Sequence, residues 1–109
     1  MVRLTVALRA PSARDAQDVV ETLRFLMATT RLEPGCQECT VWLEPPFTVR
    51  YGEGWATDAD VRRRVQSSAF TSLLGLMECA SEPPDVQFDF VTNTRGLDFV
   101  AEVRGQALD

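Results

Sequence analysis

Residues 2 to 9 alternate strictly, with Val2, Leu4, Val6 and Leu8 on one face and Arg3, Thr5, Ala7 and Arg9 on the other, the period of a strand covered on one side. Beyond Pro11 the period changes. Ala16, Val19, Val20, Leu23, Leu26 and Met27 recur at helical spacing, Ser12 with Asp15 three residues on is a variant capping box, and Pro34-Gly35 stops the helix. Residues 36 to 44 are rich in β-formers and end at Pro45-Pro46. A strand from 47 to 56 follows. Thr57 with Asp60 opens a short helix, Ser67-Ser68 breaks it, and Phe70, Leu73, Leu74 and Met77 form a second buried helical stripe ended by Ser81-Glu82-Pro83-Pro84. Val86, Phe88 and Phe90 alternate in a fourth strand. The segment 93–109 reads as a C-terminal extension with an extra strand over Leu97, Phe99, Ala101 and Val103. Leu97, Val100, Ala101 and Arg104 give a short helix as the alternative.

This order, β-α-β-β-α-β over a single domain of residues 1–109, predicts an α+β ferredoxin-like antiparallel sheet with helices on one face. The opposite face carries Trp42 and Val91 among polar residues, so a second copy is expected to cover it in a homodimer.

The strand 47 to 56 carries the candidate chemistry. Val49, Tyr51, Glu53 and Trp55 share a face, placing one carboxylate among aromatic rings, where it must be paired, hydrogen-bonded or protonated. An arginine is the natural partner. Thr48, Arg50, Gly52 and Gly54 form the other face, where two residues without side chains permit a close backbone or subunit approach. In the short helix, Val61 and Val65 define the expected buried stripe, so Arg63 points to solvent while Arg62 and Arg64 flank the stripe. Each of these residues also has a plain structural reading: aromatic packing for Tyr51 and Trp55, a sheet-to-helix ion pair for Glu53, and a solvated face for the arginines.

Composition narrows the options. At 109 residues the chain suffices for one core, and 45% hydrophobic with 25% charged residues is an ordinary globular mix. No apolar run approaches the roughly 20 residues that span a bilayer, and the N-terminus lacks the pattern of a signal peptide, so a cytoplasmic protein without a membrane partner is expected. A formal net charge of −5 opposes nucleic-acid binding. The chain contains no histidine, which excludes Ser-His-Asp and Cys-His catalysis and removes the commonest metal and haem ligand. No metal or cofactor is expected. Cys36-x-x-Cys39 has redox or metal spacing, but residues three apart on a regular strand face opposite ways, so reduced, buried thiols are expected, with redox sensing as the alternative.

Three segments, Arg31-Leu32-Glu33-Pro34-Gly35-Cys36, Glu53-Gly54-Trp55 and Ser67-Ser68-Ala69-Phe70, resemble in order and spacing the antibiotic biosynthesis monooxygenase domains of the dimeric α/β-barrel superfamily. The resemblance implies two copies packed sheet to sheet, each with a pocket between sheet and helices. It also implies a cofactor-independent monooxygenase acting with dioxygen on a small aromatic substrate, a phenol or quinol. In that scheme Glu53 accepts a proton and Arg64 or Arg62 stabilises phenolate charge, while Tyr51, Trp55, Phe70 and Arg62 bind the substrate. Many members carry histidines where this chain has Arg64 and Ala69, and the fold also hosts non-catalytic dimeric small-molecule-binding or regulatory modules.

Overall fold

The computed structural model describes residues 1–91 and 96–105. Its elements are β1 (Val2–Arg9), α1 (Ala13–Thr30), β2 (Cys36–Glu44), β3 (Thr48–Trp55), α2 (Asp58–Gln66), α3 (Ser68–Glu78), β4 (Asp85–Phe90) and α4 (Leu97–Val103). The four strands form one sheet in the order β2-β3-β1-β4, with antiparallel pairing throughout. The α+β ferredoxin-like fold expected from the alternation is the one observed.

The caps are the predicted ones. Ser12 Oγ accepts the Asp15 amide at 3.1 Å and Thr57 Oγ1 the Asp60 amide at 3.1 Å, each satisfying a helical N–H that has no intrahelical acceptor. Ser67 both ends α2 and starts α3, and its extended backbone makes the break between them. The core lies between one sheet face and the helices: Leu4, Val6 and Leu8 from β1, Val49 and Tyr51 from β3, Val20, Leu23 and Met27 from α1, and Phe70, Leu73 and Met77 from α3. Val2, Trp55 and Val61 form a smaller cluster at one end of the sheet.

The structure corrects several expectations. Residues Leu97 to Val103 form a helix where an extra strand was expected, the helical alternative prevailing; residues 93–95 and 106–109 of that extension lie outside the described residues. A register shift between Cys36 and Glu38 inserts a bulge, so that Cys36 pairs with Trp55 and Cys39 with Glu53. Both thiols consequently lie on the core side, whereas a regular strand would have separated them. In α2 the inward residues are Val61 and Arg64, while Val65 is 43% exposed. The helix is turned from its purely apolar stripe because a buried carboxylate opposite needs a cation. Leu74 is likewise largely exposed beside a buried Phe70, Leu73 and Met77. The space beside Gly52 and Gly54 is taken by this chain's own β2, since a Cβ on Gly54 would stand 2.5 Å from Glu38 Cγ and one on Gly52 3.2 Å from Thr40 Oγ1.

Candidate functional site

Alternation along β3 aims Tyr51, Glu53 and Trp55 at the helices, and α2 lowers Arg64 onto them. Glu53 is 0% exposed. Its Oε1 accepts from Trp55 Nε1 at 3.0 Å and Arg64 Nε at 3.1 Å, and its Oε2 accepts from Tyr51 Oη at 2.5 Å and Arg64 Nη2 at 2.8 Å. The Arg64 contact is therefore bidentate, the geometry in which a guanidinium and a carboxylate bind most firmly. Arg64 Nη2 also donates to Thr30 Oγ1 at 3.3 Å, and the guanidinium carbon lies 5.4 Å from the centre of the Phe70 ring.

These contacts set the protonation states. Burial disfavours the Arg64 cation, but hydrogen bonds and charge from Glu53, with a contribution from Glu33, hold its pKa above the ordinary value. Burial, then the charge of Glu53, push the Tyr51 phenol well up. Burial raises the Cys39 thiol to about 11, only partly opposed by its 3.4 Å contact with Tyr51 Oη. Cys36 is raised by burial and then by the charges of Glu53 and Glu33.

One edge of Arg64 remains. Its side chain is 2% exposed, yet Nη1 has no hydrogen-bond partner among the described residues and faces Glu33 Oε2 at 3.6 Å, which is also unpartnered. Glu33 belongs to the loop after α1, and its side chain is 29% exposed. That loop is pinned at several points. Gly35 adopts a φ of 86°, its carbonyl accepts from the Ala56 amide at 2.8 Å, and a Cβ there would collide with the Asp60 carboxylate. Arg63 reaches from α2 to donate to Pro34 O at 3.0 Å and to Asp60 at 2.6 Å, so this arginine, expected only to face solvent, clasps the loop while remaining largely exposed. Its pairing, after the Thr57 hydrogen bond, lowers the Asp60 pKa.

Between loop and helix lies a pocket of about 240 Å³ lined by Glu33, Pro34, Trp55, Asp60, Arg63 and Arg64, with Ser67 at its side. Of the predicted site residues, Tyr51, Glu53, Trp55, Arg64 and Phe70 come together, but only Trp55 and Arg64 line this pocket. Arg62 does not join them. It pairs with Asp58 at 3.0 Å and borders a separate groove between α2 and the Phe88 and Phe90 side chains of β4. Glu33 was missed as a site residue, although it stands in one of the segments that carry the family resemblance. At the far end of the sheet a mostly apolar pocket of about 300 Å³ lies between Leu8, Val19, Val49 and Leu76.

Among the described residues no group of three or more histidine, cysteine, aspartate or glutamate side chains is arranged to hold a metal ion, and no helix is long and apolar enough to cross a membrane.

No protein-family model and no curated protein matches the chain. Solved structures do. A Deinococcus radiodurans protein provisionally named an antibiotic biosynthesis monooxygenase superposes with a TM-score of 0.76 at 18% identity, over 88% of this chain and 97% of that one. A structure named antibiotic biosynthesis monooxygenase gives 0.68 at 20% identity, over 85% and 100%. A conserved protein from Methanosarcina mazei Go1 gives 0.70 at 19% identity, over 81% and 89%. At such identities the likeness establishes shape, and the chain has the ferredoxin-like α+β fold seen in antibiotic biosynthesis monooxygenase structures.

Proposed function

We propose that this protein is a cofactor-independent monooxygenase that oxidises a small aromatic substrate, a phenol or quinol, with dioxygen in the pocket beside Trp55. The observation that carries the reading is a buried arginine, locked by Glu53, whose remaining N–H edge meets Glu33 at 3.6 Å without a hydrogen bond beside the Trp55 indole. A phenol and dioxygen balance to a quinone and water: the ring loses its hydroxyl proton and one ring hydrogen, one oxygen atom enters as a carbonyl, and the ring supplies all four electrons. No separate reductant is needed. The chain contributes a flat wall at Trp55, exclusion of water, and a fixed positive charge at Arg64 that favours the phenolate. Glu53 serves here as the residue that positions Arg64, because its lone pairs are already engaged.

That engagement also supports a second reading, a non-catalytic small-molecule-binding module of the same fold. Oxygen uptake by metal-free protein with a panel of phenols and hydroquinones separates the two. The enzyme reading expects uptake that falls at least about tenfold in Arg64→Lys, which loses the planar fork. Binding without uptake leaves the module.

Either reading includes a homodimer, supported by the outward sheet face, where Trp42 is 50% exposed on the side that also carries the ion pairs Arg3–Glu38 and Arg50–Glu44. Sedimentation at micromolar concentration checks it, and a monomer mass contradicts it.

A further inference from the structure

We infer that Arg64 Nη1 and Glu33 Oε2 together recognise a neutral hydroxyl, phenolic or enolic, on the ligand of this pocket. The inference rests on the pocket beside Trp55 being the ligand site. Every other polar hydrogen-bonding edge of Arg64 is spent: Nε and Nη2 on Glu53, and Nη2 again on Thr30. The exception is Nη1, a charged donor without a hydrogen bond among the described residues in a side chain 2% exposed, its nearest acceptor being the ion-paired Glu33 at 3.6 Å. Opposite it, Glu33 Oε2 is an acceptor without a donor.

The 3.6 Å between them is too long for a hydrogen bond and suited to a third oxygen. Once the pair has opened, a hydroxyl oxygen at roughly 2.9 Å from the nitrogen and 2.7 Å from the carboxylate bridges the two, accepting from Arg64 and donating to Glu33. Both protein atoms are covered, so the hydroxyl enters by parting them: the Glu33 carboxylate shifts outward from its 3.6 Å position and then accepts from the hydroxyl that Arg64 donates to. Its partial exposure allows this. Glu53, held from four directions, cannot move in the same way.

Charge selects the ligand class. Glu33, Glu53 and Asp60 against Arg63 and Arg64 leave the site with one excess negative charge, so a ligand carboxylate would meet repulsion from Glu33. An ether can accept from Arg64 but has nothing to give Glu33. A neutral hydroxyl satisfies both, and on the enzyme reading Glu33 is then the group placed to take its proton.

Calorimetric titration of the full chain with 2-naphthol, 2-methoxynaphthalene and 2-naphthoate tests this, with Glu33→Ala and Glu33→Gln alongside the parent protein. Expected is binding of naphthol about tenfold or more tighter than either analogue, the difference of one charge-assisted hydrogen bond. In Glu33→Ala the naphthol-to-ether ratio should fall to near one. In Glu33→Gln, which keeps an acceptor without the charge, naphthoate should gain on naphthol. Equal binding of naphthol and ether in the parent, or a preference that survives Glu33→Ala, overturns the inference and leaves the pocket reading standing. Absence of binding by all three overturns both.

Discussion

Arg64 stands between two carboxylates in opposite settings: Glu53 on the floor of the site is fully enclosed and accepts hydrogen bonds at both oxygens, whereas Glu33 on the rim is partly exposed and forms an ion pair with the same guanidinium at 3.6 Å without a hydrogen bond. The difference follows from position in the fold. A strand interior admits one side-chain direction, so β3 can hold Glu53 rigidly against Tyr51 and Trp55. The loop after α1 fixes its backbone through Gly35 and Arg63, while the Glu33 side chain is partly exposed and held by a single longer ion pair to Arg64. A carboxylate without slack builds the site, and one with slack can exchange its partner.

The comparison breaks most visibly at the floor. Glu53→Leu strands a buried guanidinium and should cost about 3–5 kcal/mol, read by thermal or urea unfolding, while Glu53→Leu with Arg64→Leu should be less destabilised than Glu53→Leu alone. Glu33→Gln should change stability by less than about 0.5 kcal/mol in the same measurement. Equal losses at Glu53 and Glu33 would erase the distinction between floor and rim.

A smaller effect appears at alkaline pH, beneath the floor. The Cys39 thiol ionises near 9 when unfolded and near 11 when folded, so its contribution is complete below pH 9 and is lost as pH rises through 11. About 2–3 kcal/mol of stability should disappear across that window. Tyr51, also raised, acts in the same direction, so the test is the difference between the parent and Cys39→Ala, whose decline should be shallower. Parallel pH profiles would remove Cys39 from the network.

Much of the floor was legible in the sequence and little of the rim. The alternation of Val49, Tyr51, Glu53 and Trp55 put the carboxylate among aromatic rings, because a period of two needs no tertiary information. Arg64 was named, but its burial was not, since hydrophobicity places Val65 inward and only the buried charge across from α2 turns the helix toward Arg64. Glu33 lies in a loop, where no periodicity signals direction. The bulge that brings Cys36 to the core side has no marker in Cys-Gln-Glu-Cys. At the C-terminus, Leu97 to Val103 fits both periods, so alternation alone could not decide between strand and the helix observed.

The claim that Arg64 is structural on one edge and ligand-facing on the other is tested most directly by a crystal structure of the protein with 2-naphthol. The naphthol oxygen is predicted about 3 Å from Arg64 Nη1, with Glu33 turned toward the rim and the Glu53 contacts unchanged. Naphthol lodged instead between Leu8, Val19, Val49 and Leu76, with Nη1 still facing Glu33, would contradict it.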